Sequence, residues 1–293
     1  MSARKGTSRM AVALALVVGL LIGGAATLAL AQMGVLGGLM PSSEPDLLST
    51  AYLTGRTTVT EDELDCVLGT YTVGDVQTSV TVREAIGEST SLEAVRNADG
   101  TYEVPSADTV LAIARNCVLE SEAARLGIEA TPEDVAAYAR DTLGTDNYSA
   151  IASGYNMSAE QAEVLMGRSA VLRLLRDQVT TTQVPAEPEE PSKPNKGEED
   201  VPSATYATYV LEVVGDEWDR DADSWATDEG PYREALRDYT ISNEAATYSA
   251  ACAAYDEALV QVATAEQQRS SEWTAYANDL LSQVTVELGT LVA

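Results

Sequence analysis

The sequence predicts a mostly α-helical (α+β) fold, with a small sheet from N- and C-terminal strands and a long C-terminal helix. Helix-forming residues with capping signals dominate from about residue 106 to 180 and again from 242 to 281. Alternation of apolar and polar residues at 64–73, 79–82 and 284–288 predicts strands. With 293 residues, 45% of them hydrophobic, the chain is long enough to bury a sizeable core.

The N-terminal residues predict export across a membrane. Three basic residues at positions 4, 5 and 9 precede an uncharged apolar stretch, residues 10–31, that is long enough to span a bilayer as a helix. Positive charge before the stretch and none directly after it places the rest of the chain outside. Residues 1–31 are therefore a signal-anchor, or a signal peptide cleaved after Ala31. The protein is expected to be extracytoplasmic, anchored in the cell membrane by one helix or secreted. Residues 32–62 are expected to be a flexible tether.

Residues 63–182 are predicted to form one helical domain that begins with the strand pair and a short helix at 83–86. Thr131 and Ser158 are strong helix starts, since each is a hydroxyl N-cap followed three residues later by Asp134 or Gln161. A glycine, or the start of the proline-rich stretch, marks the predicted end of each helix in this domain. The predicted helices span about 106–126, 131–143, 147–153 and 158–180.

The remainder of the chain divides into a linker and a second region. Residues 183–203 alternate prolines with acids, which predicts an extended, solvated linker. Residues 204–293 are predicted to contain a strand at 205–214, an acidic loop at 216–230, the long helix and a closing strand. We expect this region to pack on the helical domain.

Composition excludes several classes of function. The formal net charge is −28, which argues against a nucleic-acid surface because phosphate binding requires clustered Lys and Arg. Histidine is absent, so His-based triads, His metal ligands and the usual neutral-pH acid–base group are excluded. Neither a Cys-x-x-Cys pair nor a P-loop motif occurs. We therefore expect no cofactor, and the question of enzymatic activity stays open, leaning toward none.

Two sets of polar residues are candidates for a metal site or a disulfide. Asp219, Asp221 and Asp223 resemble the start of an EF-hand loop, but Ser224 and Gly230 replace the turn glycine and the bidentate glutamate. They form a weak calcium candidate, and the alternative is a solvated acidic loop. The three cysteines, at 66, 117 and 252, could provide one disulfide and one thiol outside the cytoplasm, although buried free thiols are favoured by their apolar neighbours.

An apolar and aromatic set lies among the helices of residues 131–180. Short helices that carry Tyr and Met and are joined by glycine turns can line an adaptable groove for extended polypeptide. The alternative interpretation is an ordinary small helical core. The candidate peptide-binding residues are Tyr138, Leu143, Tyr148, Ile151, Tyr155, Met157 and Met166.

One stretch resembles a known family. The sequence ARNCVLESEAARLGIEATPEDV at 114–135 resembles the N-terminal domain of SurA/PrsA-type extracytoplasmic chaperones. In that family a helix ending in Glu-Ala-x-x-x-Gly-Ile precedes a capped helix, a short helix and a long basic amphipathic helix. Here 155–160 resemble the start of the family's long helix, and 168–176 resemble its basic amphipathic part. Residues 272–281 with the strand after them resemble the helix and strand that complete the family's domain.

The resemblance implies a chaperone domain that binds unfolded or extended exported polypeptides. In the family a parvulin prolyl-isomerase domain usually lies between the two matching regions. The interval here, about 181–239, is too short and too acidic for one, and parvulin sites use histidine. The resemblance therefore implies a holdase without isomerase catalysis. Two alternatives stay open: a cell-envelope interaction protein that uses the long C-terminal helix, and a degenerate prolyl isomerase. The oligomeric state is not predicted.

Overall fold

The computed structural model describes residues 55–289, which divide into two compact units. Unit 1 comprises the described residues up to Val179 and those from Thr274 onward, and unit 2 comprises Thr180–Trp273. The predicted membrane segment, its cleavage site and most of the tether lie outside the described residues. Between residues 55 and 289, no helix combines the length and the apolar character needed to cross a membrane.

Unit 1 contains the small sheet that the sequence predicts. Strands β2, β3 and β7 form an antiparallel sheet in the order β3-β2-β7, and β1 pairs separately with β4. The sheet thus joins N-terminal strands to the C-terminal one, which confirms the predicted mostly α (α+β) fold class. The strands are β1 (Thr58–Val59), β2 (Val67–Val73), β3 (Val76–Thr81), β4 (Tyr102–Glu103) and β7 (Val284–Leu288).

Five helices of unit 1 follow the predicted order, and a further short one, Leu92–Val95, was not predicted. The Thr131 hydroxyl accepts a hydrogen bond from the Asp134 amide at 3.3 Å, and the Ser158 hydroxyl accepts one from the Gln161 amide at 3.0 Å. Both predicted caps are therefore confirmed. The helices are α1 (Val82–Gly87), α2 (Leu92–Val95), α3 (Ala107–Arg125), α4 (Pro132–Leu143), α5 (Tyr148–Tyr155) and α6 (Ala159–Val179).

Helix α3 is the centre of unit 1. It packs on β2 and β7 and also on α6, while α6 packs on α4 and α5. Gly69 in β2 is required at this junction, because a Cβ there would lie 2.7 Å from the Glu287 carbonyl oxygen and 2.9 Å from a Val110 methyl. Helix α3 thus contacts both the sheet and helix α6.

Unit 2 is built on two helices that share a core. It contains α7 (Ala204–Val214), β5 (Trp218–Asp219), β6 (Ser224–Trp225), α8 (Pro231–Ala235) and the part of α9 (Tyr248–Leu281) up to Trp273. Small residues line the buried side of α9, including Ala250, Ala251 and Ala254, and they share the core with Val210 and Leu236. The long predicted helix is confirmed, although it begins at 248 rather than 242.

The predicted strand at 205–214 is wrong, because these residues form helix α7. Ser203 caps the helix by accepting a hydrogen bond from the Tyr206 amide at 3.3 Å. The β-branched and aromatic residues of this segment favour a strand, but the free energy gained by burying one face of a helix outweighs that preference. The buried positions follow a helical period instead, and they are Tyr206, Ala207, Val210, Leu211 and Val214.

Candidate functional site

The predicted peptide-binding residues form the small core of helices α4, α5 and α6. Tyr138, Ile151 and Met166 are buried among alanines of the three helices. Leu143, Tyr148, Tyr155 and Met157 are half-buried and pack against that core. The buried members are not available to a ligand on the surface. Of the seven residues, only Met157 also lines an open groove, described next.

An open groove lies between α1 and α6 in unit 1, and we call it the α1–α6 groove. Its volume is about 320 Å³. Val164 is the most accessible apolar residue there, since 58% of it is exposed to solvent. The apolar lining consists of Met157, Val164 and Leu165, and the polar lining includes Glu88, Glu160 and Arg168. The groove thus has an apolar surface with a charged rim.

Arg168 fixes the walls of this groove. Its Nη1 lies 2.6 Å from Glu88 Oε1 at the end of α1, and its Nε lies 2.6 Å from Glu120 Oε1 on α3. Burial opposes the charged form of Arg168, but the hydrogen bonds to the two carboxylates hold its pKa above the ordinary value. A second tie is made by the Ser91 amide, which donates to the Asn156 carbonyl oxygen at 3.2 Å. The groove is therefore preformed.

A second groove, in unit 2, is occupied by the chain itself. Residues 184–195, which we call the proline segment, contain no helix or strand and lie against α7. The Tyr206 hydroxyl donates to the Ser192 carbonyl oxygen at 2.8 Å, and the Tyr209 hydroxyl donates to the Glu189 carbonyl oxygen at 2.7 Å. Pro191 is buried. The prediction of a solvated linker is therefore wrong for this segment, because it is docked on α7.

Space remains beside the docked segment. An open cavity of about 730 Å³ lies between the proline segment and α7. Burial raises the pKa of Tyr209 to about 12, so its hydroxyl stays a donor across the physiological range. The ring of Tyr206 lies 5.6 Å from the ring of Tyr248 on α9 in a tilted arrangement. These contacts fix the tyrosines that face the segment.

Two of the three aspartates of the weak calcium candidate, Asp219 and Asp223, accept hydrogen bonds from backbone amides. The Asp219 carboxylate accepts hydrogen bonds from the amides of Asp221 at 2.9 Å and Ala222 at 3.0 Å. The Asp223 carboxylate accepts one from the Asn243 amide at 2.6 Å. Within residues 55–289, no group of three or more acidic or cysteine side chains is arranged to hold a metal ion.

The cysteines are free thiols. Cys66, Cys117 and Cys252 are each half-buried, and none is bonded to another. The buried thiols expected from their apolar neighbours are thus partly accessible. The half-buried Tyr71 lies beside Cys117, and burial together with that thiol raises the pKa of the tyrosine. Cys117 and Tyr71 both pack against the core of unit 1, so this arrangement indicates packing.

Comparisons of the chain with models of protein families, with curated proteins and with solved structures found no match.

Sequence reasoning identified Met157 as a binding residue but did not identify Val164, Tyr206 or Tyr209. Val164 lies outside the apolar stripe of α6 and is exposed. An apolar residue outside the stripe was the sequence feature that could have indicated an exposed apolar surface. Tyr206 and Tyr209 were missed because their segment was interpreted as a strand, in which positions three apart face opposite sides. In a helix they share a face. The regular spacing of prolines before them was the other signal.

Proposed function

We propose that this protein is an extracytoplasmic, membrane-tethered holdase, which binds non-native or extended polypeptides through the α1–α6 groove without prolyl-isomerase catalysis. The observation that carries the proposal is an apolar groove left open to solvent on a strongly acidic protein. The resemblance of 106–180 to a chaperone domain supports it. The predicted export signal supplies the compartment.

The chemistry of the groove suits a transient polypeptide ligand. Met157 offers a flexible, polarizable side chain that adapts to different apolar partners, and Val164 and Leu165 add apolar area. A volume of about 320 Å³ accommodates side chains of a client rather than a folded domain. Contacts of this size give weak binding, which a holdase without a nucleotide site needs for release.

The charges at the groove favour basic clients. Glu88 and Glu160 lie at the lining, and the whole chain carries a formal charge of −28. A client segment that alternates apolar and basic residues would place its side chains on the apolar lining and its charges at the rim. The remaining acidic surface keeps the complex soluble.

The test is suppression of aggregation by the full chain in lipid nanodiscs, with empty nanodiscs and an equally acidic inert protein as blanks. The client is a reduced, unfolded basic model protein at a near-stoichiometric ratio, followed by light scattering. We expect suppression by the wild type. Val164→Asp should reduce it severalfold, because a charge in the groove opposes apolar contact.

A matched variant controls for the added charge. Val260 on α9 is 53% exposed, close to the 58% of Val164, so Val260→Asp places the same carboxylate on another helix. We expect Val260→Asp to suppress aggregation as the wild type does. Equal loss in both variants, or no suppression by the wild type beyond the blanks, would contradict the proposal.

A further inference from the structure

The proline segment has the repeat of a polyproline II helix. Prolines occur at every third position from 185 to 194, and polyproline II has three residues per turn, so the prolines share one edge. From residue 188 onward burial follows the same period: Pro191 is buried, Pro188 and Pro194 are half-buried, and the residues between them are exposed, whereas Pro185 is exposed. The segment therefore presents one proline edge to the protein.

Helix α7 recognises the backbone of this segment. Polyproline II has no internal hydrogen bonds, so its carbonyl oxygens are free to accept from a partner. The carbonyl oxygens of Glu189 and Ser192, one turn apart, accept from the hydroxyls of Tyr209 and Tyr206, which are one turn apart on α7. Aromatic residues that face proline edges and donate to the backbone are the usual means of polyproline II recognition.

The recognition does not depend on the side chains of the segment. Glu189, Glu190, Ser192 and Lys193 are exposed, and the contacts that hold the segment are proline packing and backbone carbonyls. The segment brings glutamates to a groove whose helix carries Glu212. Its charge therefore opposes docking. A basic segment with the same proline spacing would dock with the same backbone contacts and with favourable charge.

We propose that Tyr206 and Tyr209, with Tyr206 packed against the ring of Tyr248, form a binding site for polyproline II peptides. The proline segment occupies this site in cis, and a basic proline-rich peptide from another chain can take it over. The site lies within unit 2 and is independent of the proposed holdase groove in unit 1. The cis segment sets the threshold for binding, because an external peptide must displace it.

The first experiment compares peptide binding by the wild type and by a released variant. The released variant is the full chain with Pro188→Ala, Pro191→Ala and Pro194→Ala. The probe is a fluorescein-labelled peptide of residues 184–195 in which the three glutamates are replaced by lysine, and binding is followed by anisotropy in nanodiscs. We expect the released variant to bind at least about tenfold more tightly than the wild type, since the competitor is weakened.

Two controls test the chemistry. A probe with alanine at every proline should not bind, because it loses the polyproline II edge. Adding Tyr206→Phe and Tyr209→Phe to the released variant should lower affinity by about tenfold or more, since two hydrogen bonds are lost. Tyr232→Phe changes another half-buried tyrosine of the same core and should leave affinity unchanged. Val164→Asp should also leave it unchanged, which separates this proposal from the holdase proposal.

A second measurement uses the wild type, in case the released variant does not fold. Lys193 and Lys196 are the only lysines after Lys5, and Lys193 precedes Pro194, so a lysine-specific protease cuts the folded part only after Lys196. Displacement of the segment by an excess of unlabelled basic peptide, with arginine in place of its lysines, should speed this cleavage severalfold. Unchanged cleavage, equal binding of the alanine probe, or no binding by a folded released variant would overturn the proposal.

Discussion

The two grooves of this protein differ in what fills them and in how they recognise a chain. The α1–α6 groove is lined by Met157, Val164 and Leu165 and is open to solvent. The groove on α7 is filled by residues of the same chain, which it holds by tyrosine hydroxyls on backbone carbonyls. An apolar lining accepts many sequences weakly, whereas two directed hydrogen bonds select one backbone conformation. The first suits varied clients and the second suits a defined motif.

The largest expected effect concerns the boundary between groove and core in unit 1. Met166 is 1% exposed, so Met166→Ala should lower the free energy of unfolding by about 3 kcal/mol through lost burial and a cavity. Urea denaturation followed by circular dichroism measures this. Val164→Ala, on the same helix but exposed, should change stability by less than about 0.5 kcal/mol. If Met166→Ala had the same free energy of unfolding as the wild type, Met166 would belong to the exposed groove and not to the core.

The next effect tests how firmly the groove on α7 is closed. Tyr206→Phe with Tyr209→Phe keeps both rings and removes both donors, which should lower the free energy of unfolding of unit 2 by about 2 kcal/mol. Tryptophan fluorescence in urea reports it, because Trp218, Trp225 and Trp273 all lie in unit 2. Tyr232→Phe serves as the matched variant and should cost much less. Equal costs would mean that the hydroxyl contacts with the proline segment add no stability.

The smallest expected effect concerns the residues just before the proline segment. The Glu272 carboxylate accepts hydrogen bonds from the amides of Thr181 at 2.7 Å and Thr182 at 3.1 Å. Hydrogen bonds from the hydroxyl and amide of Thr182 lead the interactions that lower the pKa of Glu272 from 4.5 to about 2. A lowered pKa in the folded state means that this stabilisation is complete above pH 4.5 and is lost as the pH falls toward 2.

The difference in melting temperature between the wild type and Glu272→Ala should therefore be constant above about pH 5 and shrink in acid. Differential scanning fluorimetry at low protein concentration measures it, since the isoelectric point is near 4.1. Glu244→Ala removes an exposed glutamate of the same unit and should show no such pH dependence. A difference that persists at pH 2 would assign the effect to something other than the carboxylate.

Local features such as helix caps could be predicted from the sequence, whereas features that depend on tertiary packing could not. Thr131 and Ser158 act on neighbouring backbone amides, so their caps could be predicted without the fold. The strand predicted at 205–214 failed because burial along α7 outweighed the preferences of its valines and tyrosines. The same apolar residue types suit a core or a groove, so the core residues Ile151 and Met166 could not be separated from Met157, which also lines the groove, before the packing was known.

The interrupted order of unit 1 has a consequence for biogenesis. Strand β7 pairs with β2, yet the whole of unit 2 lies between them in the sequence. During synthesis, β2 emerges long before β7, so this edge of β2 stays unpaired in the meantime. Unit 2, being continuous, has all of its residues available first. The long-range closure of the sheet is the step at which this chain itself is most prone to aggregate and most in need of assistance.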